Sequence, residues 1–143
     1  MSSKPVRVFL SYALPDREIA RTVGERLSRE GFLIWDPETE ILPGDNFAAA
    51  LDAALRAADA MVLFISPEAM KSRSVTRELE YALGARHLSG RVIPVMLKPT
   101  RNAPWILESL QPVKHDTPET TSNRIAESLR KPAYVPQAKQ RAN

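Results

Sequence analysis

Short apolar runs alternate with longer amphipathic stretches along most of this 143-residue chain, and this alternation limits the possible folds more than any other feature. Continuous apolar runs, in which polar residues do not occupy every second position, are typical of strands buried on both faces of a parallel sheet. Four such runs lie at 6–11, 32–36, 60–66 and 91–97. Apolar residues at helical spacing predict helices at 15–30, 46–58, 74–87 and 118–131. A short fifth strand is expected at 111–116, on a sheet edge.

This order of elements predicts an α/β fold, because strands joined through helices pair in parallel and are covered on both faces. Five strands in about 130 residues suit a flavodoxin-like, doubly wound parallel sheet of order 2-1-3-4-5. One domain is predicted over residues 1–131. Residues 132–143 are predicted to form a mobile, basic C-terminal tail broken by prolines.

Local signals set the expected boundaries of these elements. Gly31 should end the first helix in the left-handed conformation, and Asn46 should cap the second. Segments 37–45 and 67–73 are predicted to be loops, the first with a Pro-Gly turn signal. Segment 99–110 is predicted to be irregular. Pro94 interrupts the fourth strand and, since it has no N–H to donate, suggests a bulge there.

Several apolar side chains are predicted to pack inward or on one helix face. Trp35, Trp105 and Leu107 are expected to be packing residues. The helical residues in this group are Phe47, Leu51, Leu55, Val75, Leu79, Ala82, Leu83, Ile125 and Leu129.

Composition excludes several kinds of chemistry. The chain has no Cys, so disulfides, thiolate nucleophiles and Cys-bound zinc are excluded, and two His are too few for a His-rich metal site. It has no G-x-G-x-x-G fingerprint, which argues against a hydride-transferring dehydrogenase. The formal charge is +3, but its excess lies in Arg130, Lys131, Lys139 and Arg141, so nucleic-acid binding is not expected. No apolar segment is long enough to span a membrane, and a cytoplasmic location is the expectation.

Topology alone indicates where a ligand would bind. In an open parallel sheet that place lies beyond the carboxyl ends of the strands, where the strand order reverses, here between strands 1 and 3. Ser11, Tyr12 and Ala13 follow strand 1. Glu78 is the first acid in the helix after strand 3, on the margin of its inward face and one turn after Ser74. At this point Glu78 is either a cleft carboxylate or a surface residue favoured by the helix dipole.

Sequence motifs in the expected order resemble a Toll/interleukin-1 receptor (TIR) domain, in a bacterial style. They are VFLSYA at 8–13, DRE at 16–18, IWD at 34–36, LPGD at 42–45, VLFISP at 62–67, REL at 77–79 and VIPV at 92–95. The resemblance covers roughly residues 6–130, and it accounts for Pro94 as part of the fourth-strand motif.

The resemblance implies either an enzyme that cleaves the nicotinamide–ribose bond of NAD⁺ or a non-catalytic adaptor that assembles through its BB loop. In the enzyme reading Glu78 is catalytic, Ser11, Tyr12, Ala13, Asp36 and Ser74 contact the substrate, and no cofactor or metal is needed. The BB-loop residues Leu42, Pro43, Gly44 and Asp45 would gate the cleft or contact another TIR domain. Self-association, a separately encoded partner and a role in bacterial antiphage defence or NAD⁺ depletion are also implied, without nucleic-acid or membrane partners.

The sequence departs from the family's enzyme pattern near Glu78, and also at Ala13-Leu14, where some active members carry basic residues. Ser74 stands where that pattern has a Trp associated with cyclic products, and Val75 stands where it has a Cys. The chemistry still needs only one carboxylate, because nicotinamide leaves NAD⁺ as a neutral molecule and requires no general acid. A response-regulator receiver is rejected, since Ser11-Tyr12 and Ser66-Pro67 occupy the places of its acidic residues. A nucleoside deoxyribosyltransferase-like enzyme is disfavoured by the BB-loop motif.

Overall fold

The computed structural model describes residues 4–131; the predicted tail at 132–143 lies outside them. The strands are β1 (Arg7–Ser11), β2 (Leu33–Trp35), β3 (Ala60–Ile65), β4 (Val92–Met96) and β5 (Val113–Lys114). The α-helices are α1 (Arg17–Arg29), α2 (Pro37–Glu40), α3 (Phe47–Ala57), α4 (Pro67–Lys71), α5 (Arg73–Gly84), α6 (Trp105–Ser109) and α7 (Pro118–Arg130). Single 3₁₀ turns lie at Leu14–Asp16 and Arg86–Leu88. No helix within 4–131 is long and apolar enough to cross a membrane.

The five strands form one parallel sheet of order β2-β1-β3-β4-β5, which confirms the predicted topology. Strand β3 lies at its centre, and all six of its residues are buried. Helices pack on both faces, as the continuous apolar runs require.

Successive side chains of each strand point to opposite faces of the sheet. Val8, Leu10, Val62 and Phe64 pack in one cluster with the inward sides of α1 and α7. The other face packs against α3, α5 and α6; its strand residues are Phe9, Met61, Leu63 and Ile65. Since Ser11 is two residues beyond Phe9, it points to the face that carries α5.

The structure explains why glycine occupies two positions in and just after α1. Gly31 has φ +99°, which confirms the predicted left-handed helix end. Gly24 lies in α1 where a Cβ would come within 2.9 Å of Leu10 Cδ1 and 3.3 Å of Ile34 Cγ2. The absence of a side chain therefore lets α1 approach the sheet closely.

Pro94 sits in β4 without the bulge that the sequence suggested. The register is uninterrupted, and Pro94 pairs with Leu63. His115 N–H donates to Met96 O at 3.0 Å, so the backbone of Met96, and of Pro94 two residues earlier, faces β5. Strand β5 begins only opposite Val95. The missing N–H of Pro94 therefore falls where no strand partner is present.

Three segments predicted as loops or irregular chain contain short helices. Asp36 and Ser66 each cap a helix whose first residue is proline, α2 and α4, and their side chains accept from Glu38 N–H and Ala69 N–H. Such Asp-Pro and Ser-Pro steps serve equally well to begin a turn or a helix, which is why the loop prediction was wrong. The third, α6, lies within the segment predicted to be irregular.

Some packing predictions were also wrong. Trp105 is 79% exposed, whereas Leu107, two residues later, is fully buried and Trp35 stacks on Phe9. Phe47 and Leu83 are exposed as well. Helix α5 ends at Gly84, short of the predicted His87, and begins at Arg73 because Ser72 caps it.

Candidate active site

The candidate site lies beyond the carboxyl ends of β1 and β3, where the strand order reverses, as topology predicts. Strand β1 ends at Ser11, which is fully buried. Helix α5 starts close to this edge, with its N-terminus fixed by Ser72, whose hydroxyl accepts from Val75 N–H at 3.2 Å. This cap sets the helical register that places Glu78 behind the end of β1.

Glu78 is a buried carboxylate held by two serines. Ser11 Oγ donates to Oε1 at 2.6 Å, and Ser74 Oγ donates to Oε2 at 3.0 Å. The Glu78 residue is 4% exposed, so it is more deeply buried than a position on the margin of the inward face suggested. The structure thus brings together three of the predicted site residues.

Burial raises the pKa of the Glu78 carboxyl above its ordinary value, and the hydrogen bonds from Ser11 and Ser74 lower it and offset part of the rise. Burial disfavours the charged form, whereas donors aimed at the oxygens favour it. A carboxyl with a perturbed pKa beside a cleft is a candidate for catalysis.

Tyr12 and Asp36 form a second pair at the same edge. The Tyr12 hydroxyl donates to Asp36 Oδ1, and the same oxygen accepts from Glu38 N–H at 2.9 Å. Burial and this contact with Asp36 raise the pKa of the Tyr12 phenol, which stays a protonated donor. Asp36 is buried, so its visible role is to fasten the start of α2 to the end of β1.

A cleft of about 460 Å³ lies at this edge of the sheet and is bordered by Tyr12 and Ser74, whereas Glu78, Ser11 and Asp36 are not among its lining residues. It is lined by Tyr12, Ala13, Leu14, Pro37, Glu38, Ile41, Phe47, Ser72 and Ser74. Ser74 both lines the cleft and bonds to Glu78, so it connects the open space with the buried carboxylate. The sequence did not single out Glu38, Ile41 or Phe47 as cleft residues, since their approach depends on the path of the chain after β2.

The segment Leu42 to Asp45 forms an exposed turn next to the cleft. Asp45 N–H donates to Leu42 O at 3.0 Å, and Asp45 Oδ2 accepts from Leu42 N–H at 2.8 Å. Gly44 has φ +94°, a conformation that glycine adopts without strain. The Leu42 residue is 61% exposed, and Ile41, its neighbour, is the residue of this loop that borders the cleft.

A second buried serine–carboxylate contact supports the same edge. Ser66 Oγ donates to Asp16 Oδ2, and both residues are buried. This contact ties the 3₁₀ turn after β1 to the start of α4. Within residues 4–131 no group of three or more His, Cys, Asp or Glu side chains is arranged to hold a metal ion.

Comparison with known proteins identifies the class of protein to which this fold and site belong. The TIR domain family model matches residues 8–129, so the chain belongs to the TIR domain family. It is 30% identical over 103 residues to the 2′ cyclic ADP-D-ribose synthase BtTIR of Bacteroides thetaiotaomicron, a match that covers 70% of this chain and 36% of that protein. The chain thus matches about a third of the length of this curated relative.

Solved structures agree with the fold. The TIR domain of the Toll-related receptor TRR-2 from Hydra magnipapillata has a TM-score of 0.73 at 21% identity and covers 87% of this chain and 98% of that one. A metazoan TIR-STING receptor from C. gigas has a TM-score of 0.75 at 22% identity and covers 92% of this chain and 42% of that one.

Proposed function

We propose that this TIR domain cleaves the nicotinamide–ribose bond of NAD⁺ with Glu78 as the catalytic carboxylate. The observation that carries the proposal is a buried carboxylate, bonded to Ser11 and Ser74, at the strand-order reversal behind a cleft. The similarity to a bacterial TIR protein named as a cyclic ADP-ribose synthase supports the same chemistry.

The reaction needs a negative charge near the ribose and little else. When the C–N glycosidic bond breaks, its electron pair leaves with the pyridinium nitrogen, so nicotinamide departs neutral. The ribose carbon becomes oxocarbenium-like, and the Glu78 carboxylate stabilises that positive charge. A water molecule then adds its oxygen to this carbon and releases a proton, giving ADP-ribose. Tyr12, Ala13 and Ser74 are proposed to contact the substrate, since they line the cleft, and Asp36 acts through Tyr12.

The experiment is to incubate concentrated protein with NAD⁺ and measure nicotinamide release for the unaltered chain, Glu78→Gln and Glu80→Gln. Glu80 lies on the same helix and is exposed, so its variant controls for loss of a carboxylate from α5. We expect Glu78→Gln to lose about 100-fold or more in rate, and Glu80→Gln to keep its activity. Activity that survives Glu78→Gln would refute the catalytic assignment.

The product is proposed to be linear ADP-ribose, because Ser74 offers no aromatic surface on which a base could stack during ring closure. Mass spectrometry of the completed reaction distinguishes hydrolysis from cyclisation, since the cyclic product is one water lighter. A cyclic product would overturn this part of the proposal and leave the role of Glu78 intact.

The biological setting is proposed to be bacterial defence by NAD⁺ depletion or by a nucleotide signal. Its support is the similarity to a bacterial enzyme. Expression in a bacterial host should lower cellular NAD⁺ during phage infection and reduce phage yield, and Glu78→Gln should do neither. Unchanged NAD⁺ and phage yield with the active chain would contradict a defence role.

A second candidate function is assembly with other TIR domains through the BB loop. The specific observation is that Leu42, in a turn that Asp45 holds, exposes a large apolar side chain to solvent. Light scattering of concentrated protein should show self-association that Leu42→Asp weakens, with Leu33→Asp as the control for another exposed leucine. Association without nicotinamide release, even when the protein is artificially clustered, would favour this function over catalysis.

A further inference from the structure

The two oxygens of Glu78 are held unequally. The 2.6 Å contact from Ser11 to Oε1 has the length of a strong bond between a hydroxyl and a carboxylate. The 3.0 Å contact from Ser74 to Oε2 is longer than the usual hydroxyl distance. Oε1 is therefore the more firmly held oxygen.

The two serines also differ in access. Ser11 is fully buried at the end of β1, where pairing with Leu63 of β3 fixes its backbone. Ser74 lies in the first turn of α5, is exposed, and lines the cleft. A ligand in the cleft can thus replace the hydroxyl of Ser74 at Oε2, while that of Ser11 lies out of its reach.

No cation competes with the serines for Glu78 within residues 4–131. The ion pairs of this part of the chain do not include it. Burial and the two serines account for the altered pKa of Glu78. Charged groups on α5 and the elements packed around it, none of which bonds to Glu78, are Asp16, Asp36, Glu38, Asp52, Arg56, Glu68, Lys71, Arg73, Arg77 and Glu80.

We propose that Ser11 is a fixed anchor of Glu78 and Ser74 an exchangeable one, whose hydroxyl holds Oε2 in the free protein and yields it to a ribose hydroxyl of the substrate. This inference rests on the proposed cleavage of NAD⁺. Ser74 is then a positioning residue: it keeps the catalytic carboxylate oriented and hydrogen-bonded until the substrate arrives. The substrate exchanges one hydroxyl donor for another, so both oxygens of Glu78 remain hydrogen-bonded throughout.

Unequal anchoring has a kinetic signature. The pH dependence of kcat/KM reports groups of the free enzyme, and that of kcat reports the enzyme–substrate complex. Loss of a donor to an ionised carboxylate raises its pKa, and activity requires the ionised form. Loss of Ser74 should therefore move the acid limb of kcat/KM to higher pH and leave that of kcat in place. Loss of Ser11 should move the acid limbs of both profiles, that of kcat/KM and that of kcat.

The experiment measures both pH profiles of NAD⁺ cleavage for Ser74→Ala, Ser74→Thr and Ser11→Ala. We expect Ser74→Ala to shift the acid limb of kcat/KM upward by about half a pH unit. Ser11→Ala should shift the acid limbs of both kcat/KM and kcat upward by about one pH unit. Ser74→Thr retains a hydroxyl and should restore the original profile. The Ser74 variants suffice if Ser11→Ala does not fold, since alanine is well tolerated on an exposed helical surface.

Three results would overturn the inference. Equal shifts of kcat and kcat/KM in Ser74→Ala would mean that Ser74 stays on Glu78 in the complex. No shift in either profile would mean that its hydroxyl does not act on Glu78. Failure of Ser74→Thr to restore the profile would indicate an effect of side-chain volume.

An NMR titration of the Glu78 carboxyl tests the exchange without turnover. The difference in its pKa between the unaltered chain and Ser74→Ala should be present in the free protein and vanish with saturating ADP-ribose. A difference that persists with ADP-ribose bound would overturn the inference. The proposed function fails separately, by a lack of nicotinamide release from the unaltered chain, and the inference falls with it if ADP-ribose also does not bind.

Discussion

The hydroxyl of Tyr12 donates to the buried carboxylate of Asp36 and so fastens the end of β1 to the start of α2. The same carboxylate oxygen also accepts from Glu38 N–H and caps α2. One side chain thus fixes the cleft wall formed by Pro37 and Glu38.

Removal of the Asp36 carboxylate should therefore destabilise the fold. We expect Asp36→Ala to lower the free energy of unfolding by about 1–3 kcal/mol, since it leaves the Tyr12 hydroxyl and a helix N-terminus without their acceptor. Urea denaturation measures the change. Asp52→Ala is the control, because Asp52 pairs with Arg56 on the exposed surface of α3, and an exposed pair of this kind adds little to stability. Equal effects would show that Asp36 is no more than a surface acid.

The raised pKa of Glu78 predicts a pH dependence of stability. The folded state binds the proton of this carboxyl more tightly than the unfolded chain, whose value is near the ordinary 4.5. The stabilisation of the fold by protonated Glu78 is fully present below that pH, and it is lost as the pH rises through the pKa of Glu78 in the folded state. We expect urea unfolding at a series of pH values to show that Glu78→Gln removes this loss. A pH dependence identical to that of the unaltered chain would contradict the raised pKa.

Substitution of Gly24 tests the close approach of α1 to the sheet, and substitution of Gly84, at the end of α5, is its control. Gly24→Ala should lower stability by about 1–3 kcal/mol, because the added Cβ meets the core side chain of Leu10 at 2.9 Å. Gly84→Ala meets nothing within 4 Å at the end of α5 and should be neutral or stabilising by up to about 1 kcal/mol. Thermal or urea unfolding of both variants decides the matter. A tolerated Gly24→Ala would mean that α1 can move away from the sheet at little cost.

Trp105 and Leu107 differ in burial within one short helix. We expect Leu107→Ala to cost about 2–5 kcal/mol, since the leucine is fully buried. Trp105→Ala should change stability by less than about 0.5 kcal/mol, because this side chain is largely exposed. Denaturation curves of the two variants provide the check. A large loss for Trp105→Ala would show that the indole packs on the protein.

The sheet could be predicted from the sequence because strands buried on both faces need continuous apolar runs, which are easy to recognise. The position of Glu78 followed from strand order and helical spacing. The burial of Glu78 could not be predicted in the same way, because it depends on how closely α5 approaches β1. That distance is set by side-chain packing from both elements. Trp105 shows the same limit: an aromatic residue in a Pro-rich segment carries no signal that tells packing from exposure.

Pairing between Tyr12 and Asp36, or between Ser66 and Asp16, was likewise not predictable from spacing. These contacts join residues 24 and 50 positions apart in the chain. The carboxyl edge of the sheet brings them together, and only the three-dimensional arrangement shows which hydroxyl meets which carboxylate.

Both borders of the sheet are short, with three residues in β2 and two in β5. Such borders present few free backbone groups to which another strand could add. Copies of the chain that associate through residues 4–131 would then meet through side chains rather than by extending the sheet. Association of that kind needs no backbone pairing between copies, unlike the cross-β stacking of an amyloid.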